Sequence, residues 1–144
     1  MAAVIGDYEG RAGHYWRFSI REVSAGAGKA KKINGEAVRV AEEARLLECL
    51  SSGAVVVALT RDGKGLGSRD LASFLEEKAV RSAPEIVFVI GGAFGLGDRI
   101  LKKASLRLSL STMTLPHEVA RLVLAEQLYR AGSILRNEPY HKGP

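Results

Sequence analysis

The chain has 144 residues, of which 47% are hydrophobic and 26% are charged, and its net charge is +5. These values are ordinary for a globular protein, and we predict one domain over residues 1–144. No apolar run approaches the roughly 20 residues that span a bilayer, and the amino terminus lacks the pattern of a signal peptide, so we expect a cytoplasmic protein without a membrane segment.

The first half of the chain predicts a strand followed by a helix. Trp16, Phe18 and Ile20 alternate with polar residues, which is the period of a half-exposed strand. The helix is indicated by apolar residues that recur at helical spacing: Ala37, Val40, Ala41, Ala44 and Leu47.

Cys49 lies in this helical pattern, and we predict that it is a small buried hydrophobe. One cysteine excludes a disulfide within the chain and a cysteine metal site, and we expect no metal.

The middle of the chain predicts two buried strands with a helix between them. The segment 54–59 is wholly apolar, as is typical of a strand that is covered on both faces, and the segment 86–90 has the same character. A turn is predicted at 61–65, and Ser68 is the predicted N-cap of the helix that follows.

The last third predicts a short helix from about Asp98, a strand near 107–111, and a long helix from about His117 to Arg136. No internal repeat or low-complexity segment interrupts this order. Strands that alternate with helices imply a single α/β domain with a parallel sheet.

The long final helix is apolar on more than one side. One stripe consists of Val119, Leu122 and Val123. A second stripe consists of Ala120, Leu124, Leu128, Ala131 and Leu135. A helix that covers the sheet of a monomer needs only one stripe, so we predict a homodimer built on this helix, and we expect glutamate at Leu124 or Leu128 to disrupt the interface. The alternative is a helix that is deeply buried in a monomer.

Three motifs in the last third outline a candidate site. The loop IGGAFG (90–95) follows an apolar strand, and its glycines allow the backbone to approach a ligand closely. The loop LSLSTMTLPH (108–117) enters the final helix through a proline and offers unpaired N–H groups. The tail NEPYHK (137–142) carries a phenol, an imidazole and an ammonium. Together the motifs predict a site for a polar ligand, beside a tail suited to a second substrate.

The glycine loop does not match the dinucleotide-binding fingerprint. That motif places an acidic residue about twenty positions after its glycines, whereas no acid lies between Asp98 and Glu118. The segment 26–29 matches a P-loop only in part, because Val23 and Ala30 replace its first glycine and its Ser or Thr. Hydride transfer to or from a nicotinamide and P-loop chemistry are therefore disfavoured.

Positive charge is concentrated toward the carboxyl end. From Asp98 onward there are eight Lys or Arg against four Asp or Glu, so this third carries four of the five surplus charges. A basic surface suits a polyanionic partner such as nucleic acid. Lys29, Lys31 and Lys32 form a second basic segment, and two interpretations of it stay open: a solvated turn, or a contact with phosphates.

In their order and spacing, the three motifs of the last third resemble the RlmH-type methyltransferases of the SPOUT superfamily. The resemblance also includes Arg121, the run AEQLYRA (125–131) and Ile134, and it extends over roughly residues 54–142. It is specific because three separate segments must agree in order. It implies an α/β SPOUT fold, in which helices flank a parallel sheet and the carboxyl end forms a trefoil knot, an exception to the rule against threaded chains.

The resemblance implies S-adenosylmethionine as the cofactor, held by the loops of the knot. A pocket of backbone amides and carbonyls with leucine and methionine walls can hold an adenine and a methionine tail without a conspicuous charged signature. The residues that match the family's cofactor site are Leu59, Gly91, Gly92, Leu110, Ser111, Thr112, Met113, Thr114, Leu115 and Pro116.

The resemblance also implies the substrate, a pseudouridine in the helix 69 hairpin of 23S ribosomal RNA, methylated at N3 within the assembled ribosome. Removal of the imino proton needs a base, and His141 is the predicted one because an ordinary imidazole is largely neutral near pH 7. Tyr140 is predicted to stack on the target base, and Arg130 to meet the developing charge. The predicted RNA contacts are Lys142, Arg121, Lys29, Lys31 and Lys32.

Two residues near this site have structural interpretations as well. His117 is predicted to lie in the first turn of the final helix rather than to act in catalysis. Arg130 follows Glu126 by four residues, which is the spacing of an ordinary helical ion pair.

The chain departs from the family pattern in three places. The family opens with a strand before the helix that residues 2–8 match, and the loss of that strand would leave an unpaired sheet edge. Ala93 and Phe94 replace a proline and an acid of the glycine loop, and Lys142 replaces an arginine and loses its bidentate fork. The alternative function is therefore a catalytically impaired RNA- or ribosome-binding relative. A titration with S-adenosylmethionine distinguishes the methyltransferase from the impaired relative, since the enzyme must bind this cofactor.

Overall fold

In a computed structural model of the protein, the described residues are 1–22, 35–81, 85–91 and 95–141, without the side chains of residues 35, 36, 38 and 141. Helices and strands alternate along these residues, as the hydrophobic pattern predicts. The helices are α1 (Ala2–Ala12), α2 (Gly35–Cys49), α3 (Ser68–Val80), α4 (Asp98–Lys103) and α5 (His117–Leu135). The strands are β1 (Phe18–Glu22), β2 (Val55–Gly65), β3 (Ile86–Ile90) and β4 (Leu106–Ser109). A 3-10 turn at Pro139–His141 follows α5.

The four strands form one parallel sheet in the order β1-β3-β2-β4. In the centre of the sheet, Ile86 of β3 lies opposite Val55 of β2. All five residues of β3 are buried, because a central parallel strand is covered by helices on both faces. The predicted α/β class, a parallel sheet flanked by helices, is confirmed.

Both central strands have neighbours on two sides. β3 lies between β1 and β2, and β2 lies between β3 and β4, so the open edges of the sheet belong to β1 and β4. The additional family strand, the trefoil knot and the single-domain boundary stay predictions.

The helices form two layers because successive residues of a strand point to opposite faces of the sheet. On one face, α1, α3 and α5 pack against a core that includes Val57 and Phe88. On the other face, α2 and α4 pack around Val56, Val87 and Val89.

The segment after α1 is fixed to α5. Trp16 Nε1 donates a hydrogen bond of 2.9 Å to the carbonyl oxygen of Leu128. Tyr15 packs against Gly132, where a Cβ would overlap the Tyr15 ring. Glycine within a helix costs roughly 0.5–1 kcal/mol relative to alanine, and this close packing accounts for its presence.

β2 continues through the turn that was predicted at 61–65. The strand pairs with β4 up to Leu59 and again from Lys64, so residues 60–63 leave the regular register. Gly63 lies in this excursion, where a Cβ would come within 2.6 Å of the carbonyl oxygen of Arg107. The turn prediction was wrong because β4 restores the pairing, and this long-range contact has no local sequence signal.

Two other local predictions were wrong. Gly67, not Ser68, is the N-cap of α3, and its N–H donates a hydrogen bond to Asp70 Oδ2. Cys49 is exposed at the end of α2 rather than buried. Both errors concern helix ends, where one residue or a small rotation decides which side chain contacts the core.

The two apolar stripes of α5 have different surroundings. The second stripe faces the core of the chain, where its fully buried members are Leu124, Leu128 and Ala131. Val119, Leu122 and Val123 are only half-buried. The expectation that glutamate at Leu124 or Leu128 would act on a subunit interface was therefore wrong, because both side chains belong to the monomer core. The homodimer stays a prediction.

Candidate functional site

A pocket of about 1220 Å³ lies at the carboxyl ends of β3 and β4, beside the irregular part of β2. It is lined by residues 59–62 of β2, by residue 90 at the end of β3 and residues 91, 95 and 96 after it, and by residues of the 110–116 segment, which joins β4 to α5. Leu101 of α4 and the α5 residues 117 and 120 complete the lining. The carboxyl ends of parallel strands are the usual place for ligands in α/β proteins, because their loops meet at one edge of the sheet. This pocket is the candidate functional site.

Most of the residues that the sequence assigns to a cofactor line this pocket. Eight of the ten do so: Leu59, Gly91, Leu110, Ser111, Met113, Thr114, Leu115 and Pro116. Thr112 is exposed and does not line the pocket, and Gly92 lies outside the described residues. The structure thus brings together three segments that are far apart in the sequence, while their role in binding a cofactor stays a prediction.

The described glycines of the glycine loop, Gly91 and Gly95, lie close together at the edge of the pocket. A Cβ on Gly91 would lie 3.1 Å from Leu96 Cγ and 3.2 Å from the carbonyl carbon of Gly95. Gly95 has a φ of 76°, in the left-handed region that favours glycine. Both positions therefore favour glycine: a side chain at residue 91 would crowd its neighbours, and one at residue 95 would strain the backbone.

A buried carboxylate holds the segment that follows this loop. Glu43 of α2 is 5% exposed, and its two oxygens accept hydrogen bonds of 2.9 Å from the Ile100 N–H and 3.1 Å from Arg99 Nε. A Cβ on Gly97 would overlap this carboxylate. Burial raises the pKa of Glu43, but the hydrogen bonds and the charge of Arg99 outweigh it and hold the pKa below its ordinary value. Glu43 therefore stays charged beside the first turn of α4.

The segment between β4 and α5 is shaped by its own side chains. Ser109 Oγ lies 3.0 Å from the carbonyl oxygen of Arg61 and 3.1 Å from that of Ser111. Ser111 Oγ accepts a hydrogen bond of 2.9 Å from the Met113 N–H. His117 is the first residue of α5, as predicted, and it also lines the pocket.

The carboxyl-terminal turn docks on α1 and α5 through Tyr140. Its ring centre lies 4.5 Å from that of Tyr129, and its hydroxyl lies 3.2 Å from Glu126 Oε2 and 3.5 Å from the Tyr8 hydroxyl. Burial, the Tyr8 hydroxyl and the charge of Glu126 all raise the pKa of Tyr140, so the phenol stays protonated at neutral pH. The ring that the sequence predicts to stack on RNA is already packed within the chain.

Arg130 is held in place beside the same turn. Its Nε lies 3.1 Å from both carboxylate oxygens of Glu126, and its guanidinium carbon lies 5.0 Å from the centre of the Tyr140 ring. The hydrogen bonds to Glu126 raise the pKa of Arg130. The predicted ion pair with Glu126 is confirmed, and a catalytic role of Arg130 stays a prediction.

The predicted RNA contacts fall into two groups. Arg121 already pairs with two carboxylates, at 2.7 Å from Glu9 Oε2 and 3.4 Å from Glu22 Oε1, so most of its charge is compensated within the chain. The other predicted contacts lie outside the described residues: Lys29, Lys31, Lys32 and Lys142. The same holds for the side chain of His141, the predicted base.

The pocket and the docked tail lie at different points along α5. His117 and Ala120 line the pocket, whereas Glu126 and Arg130 contact the tail. A helix rises about 1.5 Å per residue, so these pairs are roughly 9–20 Å apart along the axis. The tail is therefore displaced along α5 from the pocket of the same chain.

Sequence reasoning missed three polar residues of the pocket, Thr60, Arg61 and Asp62. A signal was present, since they directly follow the apolar segment 54–59, which predicts a buried parallel strand, and the carboxyl end of such a strand is the usual ligand side. Glu43 was missed as well. It stands three and four residues before Leu46 and Leu47, which pack against the core on this face of the sheet, and this spacing was its signal.

In the part of the chain that the structure describes, no helix has the length and apolarity required to cross a membrane. Nor do these residues contain a group of three or more His, Cys, Asp or Glu side chains that could hold a metal ion. The described lining of the pocket includes one histidine and one carboxylate, His117 and Asp62.

The chain matches one group of known proteins along nearly its whole length. A family model described as "Predicted SPOUT methyltransferase" matches residues 1–141. A protein of Gemmatimonas aurantiaca named Ribosomal RNA large subunit methyltransferase H is 49% identical over 99% of this chain and 90% of its own length. Proteins of the same name from Syntrophotalea carbinolica and Listeria monocytogenes are 44% and 41% identical, over 94% and 96% of this chain and 85% and 88% of their own.

Proposed function

The chain belongs to the SPOUT methyltransferase family, among the relatives named ribosomal RNA large subunit methyltransferase H, and on this basis we propose that it transfers a methyl group from S-adenosylmethionine to 23S ribosomal RNA. The names of the relatives support ribosomal RNA of the large subunit as the substrate. The motif resemblance supports the finer assignment, N3 of a pseudouridine in the helix 69 hairpin of the assembled ribosome, and with it a cytoplasmic protein.

The observation that carries this proposal is that two of the three motifs, the glycine loop and the 108–117 loop, meet β2 at one pocket. Leu59 lies in β2, Gly91 follows β3 and the 110–116 loop joins β4 to α5, and all three segments line the pocket. Their convergence is what a cofactor site composed of loops requires, and local sequence pattern does not impose it.

The residues of the pocket fit S-adenosylmethionine. Leu59, Leu110 and Leu115 offer apolar contact to an adenine, while Ser111 and Thr114 offer hydroxyls and the loops offer backbone groups. When bound, the cofactor supplies a methyl group on a sulfonium, which is already a good leaving group.

The protein's own task is to orient the target base and to accept its proton. We assign the proton to His141, because an imidazole with an ordinary pKa of about 6.5 is largely neutral near pH 7. Tyr140 stays protonated and holds the turn that carries His141 against Tyr129 and Glu126. Arg130 is suited to stabilise negative charge on the base, since it is fixed by its ion pair beside this turn.

We propose that the active enzyme is a homodimer. The half-buried stripe of Val119, Leu122 and Val123 is available to a second subunit. The docked tail is displaced along α5 from the pocket of its own subunit, whereas reacting atoms must approach to about 3–3.5 Å. In the dimer, the tail of one subunit would serve the pocket of the other. The proposed RNA contacts are Lys142, Lys29, Lys31, Lys32 and Arg121.

The substitution His141→Ala tests the proposed function. Methyl transfer to ribosomes that contain the pseudouridine should fall by roughly 10²–10⁴, the effect typical of a lost general base. Calorimetric affinity for S-adenosylmethionine should change little. His14→Ala, which alters an exposed histidine after α1, serves as the control. Wild-type rates in His141→Ala would show that another group accepts the proton.

A second candidate is a ribosome-binding relative without catalysis, which the replacement of the usual proline and acid by Ala93 and Phe94 favours. Titration of the wild-type protein with S-adenosylmethionine separates the two functions. We expect measurable heat of binding. Retained ribosome binding without any cofactor heat would favour the second candidate.

A further inference from the structure

The pocket carries very little charge. Among its described lining residues, Arg61 is the one Lys or Arg and Asp62 is the one carboxylate. Residues 92–94 of the glycine loop, which lie outside the described part, are Gly, Ala and Phe and have no charged side chain. A ligand with a charged end therefore finds its complementary groups at Arg61 and Asp62.

The backbone of Arg61 is held on both sides. Its carbonyl oxygen lies 3.0 Å from Ser109 Oγ, at the last residue of β4. Two residues later, Gly63 lies so close to the carbonyl oxygen of Arg107 that a Cβ would come within 2.6 Å of it. The irregular excursion of β2 is thus tied to β4, and the position from which the Arg61 side chain starts is fixed.

The guanidinium of Arg61 reaches across to the third segment of the pocket. Its Nη1 donates a hydrogen bond of 2.9 Å to Thr114 Oγ1. Both Arg61 and Asp62 are exposed, and no described carboxylate forms an ion pair with Arg61. A guanidinium has five N–H donors, so one hydrogen bond to Thr114 orients the group and leaves donors for a ligand.

We propose that Arg61 and Asp62 form the subsite for the amino-acid end of the cofactor, with Arg61 binding its carboxylate and Asp62 its ammonium. This inference rests on the proposed function. The apolar walls and backbone groups of the pocket suit the adenosine part, which has no charge. The methionine part ends in a carboxylate and an ammonium, and the strongest hydrogen bonds to such groups come from side chains of opposite charge. Arg61 and Asp62 therefore determine whether the pocket prefers the complete cofactor over its nucleoside fragment.

Two ligands distinguish the contribution of the subsite to binding affinity from that of the rest of the pocket. S-adenosylhomocysteine has the amino-acid end, whereas 5′-methylthioadenosine has the same nucleoside and sulfur without it. Calorimetry with both compounds measures how much of the affinity depends on the amino-acid end. For wild-type protein we expect the first compound to bind more tightly.

The substitutions Arg61→Gln and Asp62→Asn should each weaken binding of S-adenosylhomocysteine by roughly five- to tenfold, since each removes a charge-assisted contact at an exposed site. Binding of 5′-methylthioadenosine should be unchanged in both variants. Arg61→Lys should fall between Arg61→Gln and wild type, because lysine keeps the charge and loses the fork. Arg69→Gln, at an exposed arginine of α3 outside the pocket lining, is the control.

Equal affinity of wild type and Arg61→Gln for S-adenosylhomocysteine would overturn the assignment, and so would an equal loss for both compounds. Failure of the proposed function gives a different result. In that case the wild-type protein binds neither compound, and the subsite is overturned together with the cofactor.

Discussion

Glu43 joins α2 to the start of α4, on the face of the sheet opposite α5. The first N–H groups of a helix have no partner within the helix, and its amino end favours negative charge. The carboxylate of Glu43 meets both needs by accepting the Ile100 N–H, and Arg99 compensates its charge. Leu101, one residue further, lines the pocket. One buried side chain thus supports a wall of the candidate site.

We predict that Glu43→Gln lowers the free energy of unfolding by about 1–3 kcal/mol near pH 7. The pKa of Glu43 in the folded protein lies below its ordinary value of 4.5, so its contribution is present above that value and is lost as pH falls through the folded pKa. Urea unfolding between about pH 7 and pH 3.5 measures this dependence, which should be shallower in the variant. Glu48→Gln, at an exposed position on the same helix, should keep the wild-type profile. An identical pH profile for Glu43→Gln would contradict the prediction.

At the scale of single elements, α5 has one face in the core and another that is only half-buried. Its buried stripe, with Leu124 and Leu128, completes the core under α1 and α3. Its half-buried stripe, with Leu122, leaves apolar surface that one subunit does not cover fully. Periodicity alone detects both stripes but cannot tell which one faces the sheet, because both have the same helical spacing.

The two stripes should respond differently to a new charge. Leu122→Glu should convert the proposed homodimer to a folded monomer, because the charge enters the interface and not the core. Leu124→Glu should unfold the protein. Truncating a buried leucine already costs roughly 2–5 kcal/mol of stability, and the glutamate also places an unpaired charge in the core. Light scattering at micromolar concentration measures the mass and distinguishes a monomer from a dimer. Circular dichroism shows whether each variant is folded. A monomeric mass for the wild-type protein would contradict the dimer.

Across the whole molecule, the candidate pocket connects elements of both layers. Its lining includes Leu101 of α4 on one side of the sheet and Ala120 of α5 on the other, with the loop after β3 between them. A ligand bound there contacts several elements that must separate on unfolding. Binding should therefore stabilise the entire fold.

We predict that S-adenosylhomocysteine raises the Tm of the protein. At one hundred times its Kd the ligand adds about 2.7 kcal/mol, which corresponds to several degrees for a chain of this size. Gly91→Ala should reduce the shift at a fixed ligand concentration, because the new Cβ crowds Leu96 and Gly95 and displaces the loop. Gly65→Ala should keep the full shift, since nothing lies within 4 Å of a Cβ there. A Tm that does not depend on ligand concentration would favour the non-catalytic candidate.

The sequence alone determined the order of the elements and the class of the fold. The apolar segments 54–59 and 86–90 predicted the central strands, and they are buried because parallel strands lie between two layers of helices. It also identified two loops, 90–95 and 108–117, whose residues line one pocket, since a motif with fixed spacing is readable without knowledge of its neighbours. The resemblance to the SPOUT family rests on these two loops together with the tail.

Only the tertiary structure decided which residues meet across the fold. Glu43 reaches Ile100, and Arg61 reaches Thr114, over 57 and 53 positions of sequence. Leu124 belongs to the core and Leu122 to its margin, although both lie on the same apolar helix. Local pattern fixes period and propensity, whereas these contacts depend on how the sheet orients its helices and loops in space. Long-range packing therefore decides which charged side chains line the pocket. It also decides which apolar stripe of α5 is left only half-buried.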